Sequence, residues 1–143
     1  MTHVSGCELC ELATPAVFEN DKFAVILVDD ANYPGFARVI WKDHVREMSD
    51  LADADRLLVN DAVWKLEQAV REAMAPLKVN VASLGNVVPH LHWHVIPRYA
   101  DDAHFPAPVW AQAVRATEPA GLEARRALLP ELAAAITRKF ASR

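Results

Sequence analysis

His90, His92 and His94 stand at alternate positions in the run Pro89-His90-Leu91-His92-Trp93-His94-Val95-Ile96-Pro97-Arg98. Successive side chains of a β-strand point to opposite faces. A strand here puts three imidazoles on one face and Leu91, Trp93 and Val95 on the other. The apolar side asks for a core; the histidine side does not. Three adjacent imidazoles have two chemistries open to them. They can hold a metal, with neutral ring nitrogens about 2.0–2.1 Å from the ion. Alternatively, one of them can attack phosphorus. An unperturbed pKa near 6.5 leaves an imidazole largely neutral, and so nucleophilic, at cellular pH. Attack at an α-phosphate gives a nucleotidyl-imidazole that water then hydrolyses, which splits one hard displacement into two easier ones. The flanking imidazoles then bind phosphate oxygens and help protonate the leaving group. The attacking ring needs its other nitrogen tied to a backbone or carboxylate acceptor, which fixes the tautomer.

A second group of ligand-type residues lies at the N-terminus. Cys7-Glu8-Leu9-Cys10 has the two-residue gap that lets both thiolates reach one zinc. A structural site needs four ligands, and His44, His90 and His3 are the candidates to complete it. Zinc there would be structural, tethering the N-terminus to the sheet. Arg98, just past the histidine run, is a candidate phosphate contact. Asp101-Asp102 is expected in a solvated loop, and His3 and His104 on the surface. Trp64 and Trp93 are expected in the core, with Trp110 either in the core or at the edge of the site or of a dimer contact.

The elements that position these residues follow from pattern. Val17–Glu19 reads as a short strand and Asn20-Asp21 as a turn. The apolar run over 23–28 predicts a central strand. Asp29 opens a polar loop that ends at the Pro34-Gly35 breaker, and 36–41 is the next strand. Apolar residues recur at helical spacing over Ser49–Met74, with Asp50, Asp53 and Asp55 near the start, where the dipole favours anions. Pro76 ends this helix. Strands over 77–82 and 90–96 flank the turn 83–86. Leu122–Phe140 is expected to be helical, kinked or restarted by Pro130. Short connections join antiparallel neighbours. The sum is an α+β domain, a five-stranded antiparallel sheet with a main helix and a C-terminal helix. It reads as one domain over 1–143, with a core at about 7–110 and a helical extension at about 120–141.

Bulk properties narrow the function classes. A chain of 143 residues suits one domain. A net charge of −4 with scattered Lys and Arg argues against a nucleic-acid groove. No run approaches the roughly 18 apolar residues of a membrane span. Met1–Cys10 lacks the pattern of a secretory signal, so the expected location is cytoplasmic, with both cysteines reduced or bound to metal.

The run from His90 to Ile96 matches the His-φ-His-φ-His-φ-φ signature of the histidine triad superfamily, φ being apolar. The order of strand, Asp29 loop, Pro34-Gly35 turn, strand, Lys42-Asp43-His44, helix, Asn80 strand, Gly85-Asn86 turn and triad strand resembles the core of its small hydrolases over roughly Cys7 to Trp110. The stretch from Asn86 to Trp110 most resembles bacterial members described as diadenosine polyphosphate hydrolases. The resemblance implies a nucleotide hydrolase or phosphoramidase that cleaves at the α-phosphate of adenine nucleotide derivatives. His92 would be the nucleophile, His94 would serve the phosphate and leaving-group side, and His90 would support the site. Asp29 would hold the ribose hydroxyls, and Asn80 and Asn86 would lie near the phosphates. Catalysis would require no cofactor. The similarity also implies a homodimer built through the main helix and a neighbouring strand, and a structural zinc on Cys7, Cys10, His44 and His90. Two positions depart from the family pattern. Phe36 stands where many members carry a fourth histidine, and Val87 where many carry Ser or Thr. A non-catalytic nucleotide-binding regulator and a metal site made of the three histidines are the alternative readings.

Overall fold

The computed structural model describes residues 1–141. Five strands, β1 (Phe18–Glu19), β2 (Phe23–Leu27), β3 (Ala37–Trp41), β4 (Lys78–Ala82) and β5 (His92–Arg98), form one sheet in the order β1-β2-β3-β5-β4. Every neighbouring pair is antiparallel. The expected α+β architecture is the one observed. Strand alternation divides the sheet into two unlike faces. Phe23, Val25, Val39, Trp41, Val79 and Val95 join the main core. The opposite face carries Ala24, Ile26, Arg38, Ile40, Asn80, His92, His94, Ile96 and Arg98, aligned by the register Ile26↔Arg38↔His94 and Ile40↔His92. One face therefore makes the core and the other is left for chemistry.

Helix α1 (Asp53–Met74) covers the core face with Val59, Ala62, Leu66, Ala69, Val70 and Met74. Burying a side chain such as Leu66 contributes about 1.5–3 kcal/mol. The helix starts later than its periodicity predicts: Met48–Asp50 forms a separate 3-10 turn and Leu51-Ala52 is extended. At its end Ala75 takes a left-handed conformation before Pro76. Gly35 is required at the β3 entry, because it has φ 92° and a Cβ there would meet the Met74 Cε at 2.9 Å.

The C-terminal segment is two helices, α2 (Pro119–Arg126) and α3 (Leu129–Ala141). Pro130 neither kinks nor breaks α3. It lies in the first turn, where a missing N–H costs nothing. Leu132, Ala135 and Ile136 of α3 pack into the main core. No helix among the described residues is long and apolar enough to cross a membrane.

Trp64 is a correction. It is 58% exposed on the outer side of α1, not in the core, while Trp93 is half-buried. Helical spacing alone does not say which flank of a broad apolar helix meets the sheet.

Candidate functional site

Strand β5 begins at His92, not at His90, so the alternation argument reaches only His92 and His94. These two rings lie side by side with centroids 4.9 Å apart. They line a cleft of about 630 Å³ on the open sheet face. Its walls come from four places: Ile26 and Arg38 of β2 and β3, the turn Leu84–Val88, Trp110, and a strap of N-terminal residues that includes Glu8, Leu9 and Thr14. Trp110 meets His94 edge-on at 5.1 Å, which places it at the mouth of the site.

The hydrogen bonds assign the two tautomers. His92 Nδ1 lies 2.6 Å from the His90 carbonyl, which can only accept. Nδ1 therefore carries the proton, and Nε2 is left with a bare lone pair. Arg38 Nε donates to His94 Nδ1 at 3.2 Å. A guanidinium can only donate, so His94 carries its proton on Nε2. Burial pushes the His94 pKa down to about 4, helped by the Arg38 charge and then by His92. Burial likewise lowers His92, against the pull of its bond to the His90 carbonyl, with the Arg38 charge lowering it further. At cellular pH the cleft holds one neutral imidazole with a free lone pair beside one neutral imidazole with a free N–H.

His90 faces a different group. Its Nε2–H donates to the Trp41 carbonyl at 2.5 Å, which leaves Nδ1 as an acceptor. That Nδ1 lies 3.5 Å from both Cys7 Sγ and Cys10 Sγ and 3.1 Å from His44 Nδ1, while Cys10 Sγ and His44 Nδ1 are 3.4 Å apart. All four ligand atoms lie within 4.8 Å of one another. Ordinary zinc bond lengths make the edges of a tetrahedral site about 3.3 Å between nitrogens and about 3.6 Å between nitrogen and sulfur. The observed separations fit that figure. The Val4 N–H also donates to Cys10 Sγ at 3.4 Å. His3 has no place in this group; it pairs with Glu11. Among the described residues no other three His, Cys, Asp or Glu side chains converge in this way. The three triad histidines thus do not share one metal site.

The remaining sequence candidates are divided. Asn86 lines the cleft, whereas Asp29 is exposed outside its lining. Arg98 is a correction, because it is buried at 2% exposure and does not face the cleft. It donates to Asp102 through Nε at 2.7 Å and Nη2 at 3.0 Å, to the Ala107 carbonyl at 2.7 Å and to Asn80 Oδ1 at 2.6 Å. Asn80 is thereby engaged with Arg98 and is absent from the cleft lining. Asp102 is buried too, not solvated, and His104 is half-buried against the Tyr33 hydroxyl at 2.6 Å. A charged loop reads as solvated until a partner of opposite charge is folded against it.

Arg38 and the N-terminal strap are absent from the sequence candidates. Arg38 did leave a signal: a lone cation inside the apolar run Phe36–Trp41 at the alternation position of Ile40. For the strap the Cys7-x-x-Cys10 pair signalled a tether to the sheet, but nothing in the sequence marked Glu8, Leu9 and Thr14 as a wall of the cleft.

A HIT domain family model matches residues 10–101. The Protein hit of Bacillus subtilis (strain 168) is 28% identical over 105 residues, covering 70% of this chain and 72% of that protein. A histidine triad protein from Bradyrhizobium japonicum has a TM-score of 0.74 at 26% identity, covering 97% of this chain and 98% of that one. A zinc-bound histidine triad family protein from Mycobacterium smegmatis shares the fold, with a TM-score of 0.62 at 21% identity and 96% and 95% of the two chains covered. With a match across most of its length, and its paired imidazoles on the fifth strand of this sheet, the chain belongs to the HIT domain family.

Proposed function

We propose that this protein cleaves adenine nucleotide derivatives of the diadenosine polyphosphate or phosphoramidate kind at the α-phosphate, through a covalent nucleotidyl-His92 intermediate. Family membership supports a nucleotide-binding activity of the hydrolase type. The observation that carries the finer reading is the His92 ring: its Nδ1–H is bonded to the His90 carbonyl and its Nε2 lone pair is left for the cleft. Nε2 attacks phosphorus; the N–P bond forms as the bond to the leaving group breaks, and the leaving group departs with that electron pair, a phosphate as its anion and an amine with a proton taken from water. Water then attacks the adduct, the N–P bond breaks, and nucleoside monophosphate and a proton are released. His94, neutral and protonated at Nε2, serves the departing atom as a hydrogen-bond donor. Asn86 reaches the phosphates from the turn. Asp29 stands on the loop after β2 as the ribose contact that the resemblance implies.

The test is mass spectrometry of protein quenched during turnover of diadenosine tetraphosphate. The expected result is the mass of one adenylate on the peptide bearing His92. Tight nucleotide binding with neither adduct nor product would instead establish a regulator, a role that the non-polar Phe36 ring beside His94 fits.

We infer a structural zinc on Cys7, Cys10, His44 and His90, as the ligand spacing supports. Bound there, zinc would tie the strap to the sheet, and the strap forms one wall of the cleft. Purified protein is expected to carry about one zinc per chain by elemental analysis, as a closed four-ligand site requires. Cys10→Ser is expected to lose the metal and expose the segment around Glu8 to limited proteolysis. Metal-free wild-type protein with a protease-resistant strap would contradict this.

A homodimer is the proposed assembly. Leu57 and Trp64 are exposed on α1, and β4 is an outer strand whose Val81 is 41% exposed although it points to the helix side. An uncovered apolar strip of this kind marks an interface. Sedimentation is expected to give a dimer, and Trp64→Glu a monomer; a monomeric wild type would refute the assembly.

A further inference from the structure

We propose that Arg38 is a positioning residue: its guanidinium holds the His94 imidazole in the tautomer whose Nε2–H faces the departing atom. The inference rests on the nucleotidyl-transfer reading above. It names the residue on which the second half of that site depends.

Arg38 and His94 are directly paired across β3 and β5, so their side chains leave the same face at the closest cross-strand spacing. Arg38 Nε is the only hydrogen-bond partner of the His94 ring among the described residues. The other rings around it, His92 at 4.9 Å, Trp110 at 5.1 Å and Phe36 at 5.7 Å, all meet it edge-on, and none is hydrogen-bonded to it. Without Arg38, nothing in this arrangement prefers a proton on Nε2 to one on Nδ1. The guanidinium is itself held in place. Its Cζ lies 5.4 Å from the Phe36 ring centroid, and the carboxylates of Glu8 and Asp30 act on it electrostatically. The Phe36 ring is 4% exposed and packs with Tyr33 and Ile96, so it is a fixed platform for the cation.

The bland alternative is a half-buried arginine that serves only solubility or ion pairing. It does not account for the burial. Moving this cation out of water costs free energy that a surface ion pair would not recover. No protein acceptor among the described residues is hydrogen-bonded to its Nη atoms, so the Nε–His94 bond is the one hydrogen bond of this guanidinium.

The roles predict a coupled pair. Arg38→Met removes the donor but keeps an unbranched stem on Phe36. It is expected to slow adduct formation about 100-fold on a nucleotide with a poor leaving group, the cost typical of losing one aimed donor. With the delocalised p-nitrophenolate as leaving group the loss is expected to be only a few-fold, because little charge then needs a hydrogen bond. On a His94→Ala background Arg38→Met should add less than about 3-fold, since a residue acting through another has nothing left to act on. Nitrogen-15 NMR of the His94 ring reads the tautomer directly: an Nε2–H form in wild type, and a shift toward Nδ1–H in Arg38→Met. Arg38→Gln, which can still donate, should recover part of both effects and serves if the Met variant folds poorly. Multiplying losses in the double variant, equal losses on both leaving groups, or an unchanged His94 tautomer would overturn the proposal. Absence of any wild-type adduct would instead sink the nucleotidyl-transfer reading, and the NMR measurement still decides whether Arg38 governs His94.

Discussion

His92→Asn is expected to lower turnover of diadenosine tetraphosphate by at least about 10⁴-fold, the scale on which a covalent nucleophile fails when it is removed. The choice of asparagine matters. Its amide can still donate to the His90 carbonyl, which in the wild type accepts from His92 Nδ1 at 2.6 Å. Its amide nitrogen lone pair is delocalised into the carbonyl, so it offers no nucleophilic nitrogen to phosphorus. The variant therefore removes the nucleophile and spares the local hydrogen bond, so its melting temperature should stay close to that of wild type while the adduct vanishes. His92→Ala should match it in activity and lose slightly more stability. Nucleotide affinity should survive in both, because Asn86, Trp110 and the rest of the cleft lining stay in place. Quenched-flow kinetics with adduct detection checks all of this. Residual turnover within about tenfold of wild type would show that some other group, or water directly, attacks phosphorus.

Asp102→Ala is expected to carry the largest loss of stability, about 3–5 kcal/mol, because it strands a buried cation. Asp102 and Arg98 have side-chain exposures of only 1% and 2%. Asp102 accepts from Arg98, from the backbone N–H groups of Tyr99, His104 and Phe105 at 2.7–3.1 Å, and from the Tyr33 hydroxyl at 3.1 Å. Removing it leaves all these donors, including a guanidinium, without their acceptor. Domains of this size have about 5–15 kcal/mol in total, so the variant should sit near the edge of folding. Urea unfolding measures it, and a loss under about 1 kcal/mol would contradict the account. The same pair predicts acid sensitivity. Burial alone would raise the Asp102 pKa, but the Arg98 bond and the three N–H donors outweigh it and hold the carboxyl well below the usual carboxylate range. A group depressed in the fold stabilises in full above its unfolded value, near 3.8, and that contribution is lost as the pH falls through and below it. Stability measured between pH 6 and pH 2.5 should fall more steeply in wild type than in Asp102→Asn. The pair also anchors the loop that leads to Trp110, whose ring meets His94.

Much of this was legible along the chain. The core faces of β2, β3 and α1 follow from alternation and helical spacing, and Pro76 and Pro34-Gly35 punctuate the chain where helix and loop end. The Cys7-x-x-Cys10 pair pointed to metal and lies in a group of ligand geometry with His44 and His90. The pattern failed in two ways. It placed His90 in line with its sister rings, although β5 begins only at His92 and the His90 ring turns to the cysteines. It also assigned Arg98 to phosphate and Asp102 to solvent from their charge alone, while each is the other's partner.

The sequence by itself determined the family, the alternating strands and the short-range spacings, because these are set by residues within a few positions of one another. Only the tertiary structure decided that His92 and His94, without His90, face the cleft, and which arginine meets a histidine. Arg38 and His94 are 56 positions apart and touch because the β3–β5 register pairs them. A register between distant strands is chosen by the burial of the whole opposite face, a property that no local stretch of sequence carries.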